Sequence, residues 1–426
     1  MQSIRVTGGN PLSGTVTVGG AKNSGLKLMA AALLAPGVTT IHNMPDIADV
    51  DTMSEVIGGL GAPVRRDEHS LVIDATTVDS FEAPYEIVAK MRASIIVLGP
   101  LLGRLGRARV AMPGGCNIGS RKIDLHLRGL SQLGVQIASE HGYIEATAPH
   151  GMRGASIALD FPSVGATENL LMAGAAAWGT TVIENAAREP EIQDLIAFLN
   201  AMGARIEGAG TSTITIEGVS AFSPVTHGVV GDRIEAGTFL VAAALCGGPV
   251  TVAGVKPEHL DLVLAKLTAA GAEISTGPDE VTLQRGGPIR PVDAATLPYP
   301  GFPTDMQPQF MTLMAVANGT SVITENVFES RFMFADELGR MGADITIEGH
   351  RALVRGAARL SGAPVISPDL RGGAALVLAG LAAEGATTVG DIHHIMRGYE
   401  SFVDKLAGLG ADIALIDSDE GEGRGC

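Results

Sequence analysis

A short stretch of the chain, MPGGCNIGSRKIDLH from Met112 to His126, combines residue types that support acid-base or nucleophilic chemistry. Cys116 follows a glycine pair and precedes Arg121 and Lys122. Backbone N–H groups and nearby cations lower the pKa of a thiol, which makes it reactive. The pattern predicts a reactive cysteine on a turn-rich loop, and the alternative is a half-buried cysteine in an ordinary loop.

Other polar residues stand where apolar helices are predicted to begin. Lys22 and Asn23 occupy such a start, where free backbone donors and the helix dipole favour an anion. The alternative is a capping Asn23 or Ser24 beside a solvated Lys22. Asp305 lies next to two prolines ahead of a helix, and capping is the usual role of such an aspartate.

Basic residues recur at comparable places. For each arginine taken singly, an exposed side chain is the ordinary interpretation, but several near the starts of buried helices indicate a pocket for a polyanion. The residues are Arg92, Arg331, Arg371 with its neighbour Asp369, and Arg397.

A repeated segment must position these side chains. An apolar residue, a glycine and usually Ala or Val end six similar segments, which recur about every 70 residues. Within each segment the pattern predicts an apolar helix, a strand, an amphipathic helix and a further strand, which is an α/β fold. The glycines of the phrase are Gly61, Gly134, Gly203, Gly271, Gly342 and Gly410.

The first helix of each segment is apolar on almost every side, which predicts burial. Two similar strings, VTVGGAKNSG and GVVGDRIEAG, lie about three repeats apart and indicate linkers near 21 and 230. We therefore expect one domain at 22–230, carrying the cysteine loop, and a discontinuous second domain at 1–21 plus 231–426. Clefts between domains are favoured ligand sites.

Composition narrows the class of protein. The formal net charge of −16 argues against binding to nucleic acid or to an anionic membrane. Three scattered cysteines, Cys116, Cys246 and Cys426, do not form a disulfide framework or a metal site, which favours a reducing, cytoplasmic location. No segment has the length of a membrane span.

Seven ordered motifs resemble the UDP-N-acetylglucosamine 1-carboxyvinyltransferases of the enolpyruvyl transferase family. The resemblance runs from the first repeat to the last. The motifs are GGAKNSGLKLMAAALLA, PGGCNIGSRKIDLHLRGL, PSVGATENLLMAGA, GFPTDMQPQFM, ENVFESRFMFADELGRMGADI, DLRGGAALVLAGL and RGYESF.

The resemblance implies two inside-out α/β barrels of three repeats each, with the active site in the interdomain cleft. It implies transfer of the enolpyruvyl group of phosphoenolpyruvate to the 3'-hydroxyl of UDP-N-acetylglucosamine, with release of phosphate, at the first committed step of peptidoglycan precursor synthesis. These two small molecules would be the partners, the oligomeric state stays open, and no metal or organic cofactor is expected. Inactivation by the epoxide fosfomycin is expected as well.

The resemblance also assigns roles by position. Lys22, Asn23, Arg121 and Arg397 would hold the phosphate and carboxylate of phosphoenolpyruvate. Cys116 would be the general acid, and Asp305 would accept the proton of the sugar hydroxyl. The UDP-sugar contacts would come from Arg92, Arg121, Lys122, Ile123, Asp124, Leu125, Phe161, Pro162, Ser163, Val164, Asp305 and Val327, and we add Arg331, Asp369 and Arg371 to the substrate pocket.

The sequence departs from the pattern that is commoner in the family at Asn117, Lys122 and Met396, which changes loop mobility and local charge. Three alternatives stay open: a transferase acting on shikimate 3-phosphate, a paralogue that modifies another uridine nucleotide, and a non-catalytic nucleotide-sugar sensor or RNA-binding protein. The cysteine and UDP-sugar motifs favour transfer to UDP-N-acetylglucosamine over transfer to shikimate 3-phosphate. An aromatic content of only 4% offers little for stacking on RNA bases.

Overall fold

The repeated glycines end the amphipathic helices. All six have positive φ, between 88° and 107°, a conformation that glycine adopts without strain. Each lies two residues beyond the end of a helix, and the next strand begins within three residues of it. The repeat therefore encodes a helix-to-strand turn that occurs six times.

The computed structural model describes residues 2–83, 85–88, 91–112, 123–357 and 359–417. These residues form two compact units, which are named here the first unit (20–230) and the second unit (2–19 with 231–417). Each unit has its own hydrophobic core.

The first unit alternates helices and short strands. Its helices, including 3-10 turns, are Lys22–Ala31, Ala32–Leu34, Ala48–Gly59, Tyr85–Val88, Arg92–Val97, Leu98–Leu105, Asp124–Gln132, Val164–Ala175 and Pro190–Ala201. Its strands are Val38–His42, Val64–Asp67, Ser70–Asp74, Arg107–Ala111, Gln136–Glu140, Tyr143–Thr147, Ser156–Ala158, Thr180–Glu184, Arg205–Glu207, Thr213–Glu217 and Thr226–Gly228.

Two sheets of the first unit have the same mixed order, one parallel edge strand followed by three antiparallel strands. In one of them, Ser156–Ala158 runs parallel to Thr180–Glu184, with Ile157 opposite Ile183. In the other, Thr226–Gly228 runs parallel to Val38–His42. The third sheet has three antiparallel strands among the described residues, and an isolated parallel bridge stands where the edge strand lies in the others.

The second unit repeats this plan. Its helices and 3-10 turns are Arg233–Cys246, Pro257–Leu260, Asp261–Ala269, Thr304–Met306, Gln307–Ala315, Ala335–Arg340, Leu370–Ala382, His393–Met396 and Phe402–Gly408. Its strands are Gln2–Thr7, Gly14–Thr17, Val250–Ala253, Ala272–Thr276, Glu280–Arg285, Ala294–Ala295, Thr320–Thr324, Asp344–Glu348, Arg351–Arg355, Leu360–Ser361, Pro364–Ile366, Ala383–Glu384, Ala386–Gly390 and Asp412–Asp417.

Three four-stranded sheets of the second unit also begin with a parallel pair. Ala294–Ala295 runs parallel to Thr320–Thr324, and Pro364–Ile366 runs parallel to Ala386–Gly390. In the latter sheet Gln2–Thr7 pairs antiparallel with Ala386–Gly390 on one side and with Asp412–Asp417 on the other. The α/β class predicted from the repeats is confirmed, with sheets of mixed direction.

The apolar helices are buried, as their composition predicts. In Val164–Ala175 every residue from Ala166 onwards is buried, and in Arg233–Cys246 every residue but the last is. Such a helix follows a parallel edge strand, so the polar residues at its start lie beyond the carboxyl end of that strand. This connection places Lys22, Asp305 and Arg371 at the starts of buried helices, whereas Arg397 lies at the end of a short one.

Candidate active site

Asp305 is the centre of a charged cluster in the second unit. It lies in the 3-10 turn Thr304–Met306, directly before the buried helix Gln307–Ala315. Its Oδ1 accepts a hydrogen bond from Nη2 of Arg331 at 2.7 Å, and its Oδ2 accepts one from Nη2 of Arg371 at 3.3 Å. The capping role usual for such an aspartate is wrong here, because neither helix start has a side-chain cap.

The two arginines are buried, while the carboxylate is accessible. The side chains of Arg331 and Arg371 are 3% exposed, whereas that of Asp305 is 23% exposed. The interpretation of these arginines as exposed surface residues is therefore wrong. The Nε atoms of both have no hydrogen-bond acceptor among the described residues. The cluster thus combines an accessible carboxylate, which can act as a base, with two buried guanidinium groups that bind it.

Neighbouring groups hold the backbone of Arg371 and keep its side chain charged. Asp369 caps the helix Leu370–Ala382 by accepting hydrogen bonds from the backbone N–H groups of Arg371 and Gly372 at 2.9 and 3.0 Å. Burial lowers the pKa of Arg371, but Tyr399 and the carboxylates of Asp305 and Asp232 together raise it above its ordinary value. The guanidinium therefore stays charged. The predicted site residue Asp369 holds the backbone of Arg371 in place by capping the helix.

Arg397 lies at the end of the short helix His393–Met396 and is half-buried. In the same helix the rings of His393 and His394 contact each other at a tilt of 38°, with centroids 4.0 Å apart. Burial, His393 and Arg397 lower the pKa of His394, which disfavours the charged imidazolium. Met396 precedes Arg397 and is half-buried.

Lys22 begins the buried helix Lys22–Ala31 of the first unit. Its Nζ lies 2.6 Å from Oδ2 of Asp49, and both residues are buried. The solvated-charge alternative is wrong, and so is capping by Asn23 or Ser24, because the helix has no side-chain cap. The hydroxyl of Ser24 donates instead to Asp194 at 2.6 Å.

One turn further along the same helix, Lys27 contacts a buried carboxylate. Its Nζ donates to the backbone oxygen of Asn23 at 2.9 Å and lies 3.7 Å from Oε1 of Glu168. Burial raises the pKa of Glu168 to about 7, Lys27 opposes this shift, and Glu191 and Glu189 add to it. Glu168 therefore titrates near neutral pH.

The segments predicted to contact a UDP-sugar also lie at helix starts of the first unit. Ser163 caps Val164–Ala175 by accepting from the backbone N–H of Ala166 at 3.3 Å, and Phe161 is 40% exposed. Pro162 and Val164 are half-buried, as are Ile123 and Leu125, while Asp124 is exposed at the start of Asp124–Gln132.

A buried pair of side chains connects these two helix starts. His126 Nδ1 lies 2.9 Å from Nδ2 of Asn169, which also donates to the backbone oxygen of Ile95. Because the amide nitrogen of Asn169 can only donate a hydrogen bond, Nδ1 of His126 is the acceptor.

Three predicted site residues lie outside the described part of the chain, namely Cys116, Arg121 and Lys122, and so does the side chain of Arg92. The departure from the family pattern at Asn117 lies outside it as well. Their roles stay predictions. Val327 is half-buried, and its backbone N–H donates to Glu325 at 2.8 Å.

Among the described residues, no three His, Cys, Asp or Glu side chains are placed to hold a metal ion together. None of the helices in the described ranges has the length and apolarity that crossing a bilayer requires. The cysteine whose surroundings are described, Cys246, has its pKa raised to about 12 by burial.

Sequence reasoning missed the partners of the candidate residues. Asp49 lies outside the motifs singled out in the sequence, and Thr304 and Glu325 lie inside two of them without an assigned role, so only their contacts identify them. A signal exists for Glu168, a charged residue in an otherwise apolar and buried helix.

The accessible carboxylate of Asp305 contacts two buried arginines near the starts of buried helices, and this arrangement suits anionic substrates. Comparisons with known proteins define the class as enolpyruvyl transferases. The chain matches the EPSP synthase (3-phosphoshikimate 1-carboxyvinyltransferase) family over residues 6–406 and belongs to that family of enzymes.

Curated relatives are similar over nearly the full length. The UDP-N-acetylglucosamine 1-carboxyvinyltransferase of Trichlorobacter lovleyi is 55% identical over 98% of this chain and 99% of its own. The protein of the same name from Corynebacterium jeikeium is also 55% identical, over 97% of this chain and 99% of its own.

Solved structures share the fold. The enolpyruvyl transferase NikO from Streptomyces tendae has a TM-score of 0.88 at 31% identity and covers 97% of this chain and 98% of its own. EPSP synthase from Acinetobacter baumannii has a TM-score of 0.77 at 20% identity, with 98% and 100% of the two chains covered. The second similarity concerns the fold alone.

Proposed function

We propose that the protein transfers the enolpyruvyl group of phosphoenolpyruvate to the 3'-hydroxyl of UDP-N-acetylglucosamine and releases inorganic phosphate. The observation that carries this proposal is the similarity of 53–55% identity over nearly the whole chain to proteins with that activity in their name. In a bacterial cell the reaction is the first committed step of peptidoglycan precursor synthesis, and we place it in the cytoplasm.

The reaction requires one base, one acid and a cationic environment. In the addition step the sugar oxygen bonds to C2 of the enol phosphate, the hydroxyl proton passes to a base, and C3 gains a proton. In the elimination step C3 loses a proton, the C2–O bond to phosphate breaks, and the double bond re-forms. Asp305 is the proposed acceptor of the hydroxyl proton, and Cys116 is the proposed acid.

The geometry around Asp305 supports that role. Two buried guanidinium groups orient both carboxylate oxygens, and 23% exposure leaves the group accessible to an acceptor hydroxyl. Preorganised charge of this kind stabilises a transition state without reorganisation during the reaction. The cations also favour an acceptor that carries phosphate groups.

Lys22, Asn23, Arg121 and Arg397 are the proposed ligands of phosphoenolpyruvate. The position of Lys22 at the head of a buried helix supports this role, because the helix dipole adds to the charge of the ammonium group. Asp49 holds the ammonium in one orientation. The finer fold assignment, two barrels of three repeats each, is part of the same proposal.

The proposed UDP-sugar ligands of the first unit are Arg92, Arg121 to Leu125 and Phe161 to Val164. Asp305 and Val327 complete this set from the second unit, and Arg331, Asp369 and Arg371 support them. The accessible Phe161 ring and the exposed Asp124 carboxylate are consistent with ligand contacts.

A single assay tests the proposal. Purified protein is mixed with phosphoenolpyruvate and UDP-N-acetylglucosamine, inorganic phosphate is measured, and the enolpyruvyl ether is identified by mass spectrometry. Shikimate 3-phosphate and UMP serve as parallel acceptors. We expect phosphate release only with the UDP-sugar. A folded preparation that releases none, or that prefers either other acceptor, contradicts the proposal.

A further inference from the structure

We propose that Glu325 is a positioning residue for the reaction, which orients Asp305 through Thr304 and Arg331 and at the same time fixes the turn that carries Val327. This inference presupposes the enolpyruvyl transfer proposed above. Glu325 follows the strand Thr320–Thr324 directly and opens the motif ENVFESRFMFADELGRMGADI, but the resemblance assigns it no role.

Glu325 is the end point of four hydrogen bonds. The residue is 1% exposed, and its Oε1 accepts from the hydroxyl of Thr296 at 2.7 Å. The same oxygen accepts from the backbone N–H groups of Val327 and Phe328 at 2.8 and 3.0 Å. Its Oε2 accepts from the hydroxyl of Thr304 at 3.0 Å.

Strand pairing explains how these groups meet. Ala294–Ala295 and Thr320–Thr324 are parallel neighbours, with Ala295 opposite Thr324. Thr296 and Glu325 are therefore the next residues at the same end of the two strands. The backbone N–H of Thr296 still donates to the oxygen of Thr324 at 2.9 Å, which extends the ladder up to the buried carboxylate.

The carboxylate sets the direction of the hydrogen bonds between Glu325 and Asp305. A carboxylate only accepts, so the single hydroxyl proton of Thr304 points to Glu325. The oxygen of Thr304 then presents its lone pairs to Nη1 of Arg331, which donates at 2.7 Å. With Nη1 fixed, Nη2 of the same planar group donates to Asp305 at 2.7 Å.

Removal of one link leaves Asp305 less constrained. Without the hydroxyl of Thr304, Nη1 of Arg331 loses its hydrogen bond to that oxygen, so the guanidinium that donates to Asp305 is held less firmly. The contact of Arg371 with the same carboxylate is longer, at 3.3 Å. Because a shift of a reacting group by about 1 Å costs up to about a hundredfold in rate, the loss falls mainly on kcat.

The turn carrying Val327 gives a second, separable effect. It depends on Oε1 of Glu325, whereas Arg331 depends on Oε2 through Thr304. A change at Thr304 therefore affects the orientation of Asp305 and leaves the proposed UDP-sugar contact at Val327 in place.

The test compares Thr304→Val, Thr304→Ser and Glu325→Gln with the wild-type protein in the phosphate-release assay. We expect Thr304→Val to lower kcat about tenfold or more while the KM for the UDP-sugar changes less than about threefold. Thr304→Ser keeps the hydroxyl and should restore most of the lost rate. Thr251→Val is the matched control, because it removes a hydroxyl pair with Thr282 in another sheet of the same unit.

Glu325→Gln keeps the shape and provides a second measurement if Thr304→Val does not fold. Its amide oxygen can still accept from Val327 and Phe328, but its NH2 group then faces Thr304 and reverses that hydrogen bond. We expect a fall in kcat of similar size, with UDP-sugar binding by calorimetry within about threefold of wild type.

Two results have different meanings. A wild-type protein that releases no phosphate overturns the proposed function and this inference together. An active wild-type protein, with kcat in Thr304→Val and Glu325→Gln no lower than in Thr251→Val, overturns the inference alone.

Discussion

The Nζ atom of Lys22 lies 2.6 Å from Oδ2 of Asp49, and the two side chains are only 11% and 6% exposed. Removing one partner of a buried ion pair leaves the other charge without compensation, which is costly. We expect Asp49→Asn to lower the unfolding temperature by at least about 4 °C, measured by calorimetry. Asp344→Asn is the control, because its pair with Arg355 is exposed and should change stability little. Equal effects of the two changes contradict the prediction.

Asp305→Asn tests the proposed base. The amide keeps the shape but cannot take the hydroxyl proton, so we expect kcat to fall about a hundredfold or more while the protein stays folded. Asp336→Asn, an exposed position on a helix of the same unit, should keep wild-type kcat. Retention of more than about half of the wild-type rate in Asp305→Asn rules out this role.

The pKa of Glu168, raised by burial to about 7, predicts how stability depends on pH. The folded state binds this proton more tightly than the unfolded state, so the contribution of Glu168 to stability is full below its ordinary pKa of 4.5 and is lost as pH rises through about 7. Glu168→Gln removes the titration. We expect the variant to gain stability over wild type between pH 5 and pH 8, by on the order of 1–3 kcal/mol.

Thermal unfolding of both proteins at several pH values measures this difference. Glu140→Gln, an exposed site in the same unit, serves as the control and should follow wild type at every pH. A constant difference between Glu168→Gln and wild type across this range would show that Glu168 does not titrate there.

Cysteine alkylation separates the buried thiol from the predicted reactive one. Burial raises the pKa of Cys246 to about 12, so almost no thiolate forms at pH 7.5. In the native protein we expect iodoacetamide to modify Cys116 first and Cys246 last, as followed by peptide mass spectrometry. Denatured protein, in which all thiols react, is the control. Native labelling of Cys246 as fast as Cys116 contradicts the expectation.

Local features could be predicted from the sequence because local interactions determine them. The six repeated glycines mark helix ends, and all six have the positive φ that makes glycine favourable there. The helices without a polar face are buried, since their composition leaves no surface for water.

The polar partners could not be predicted, because they come from distant positions. Asp305 contacts Arg331, 26 residues away, and Arg371, 66 residues away. Its local pattern predicted only a helix cap. Glu325 meets Thr296 because two parallel strands pair just before them, and it meets Thr304 across 21 residues of sequence.

The sheet that contains Gln2–Thr7 has a consequence for biosynthesis. That strand lies between Ala386–Gly390 and Asp412–Asp417, so it leaves the ribosome long before the two strands that pair with it. At 5–20 residues per second the delay is roughly 20–80 s. The described strands of the first unit all lie between 38 and 228, so the nascent chain can pair them while the second unit still has an unpaired strand.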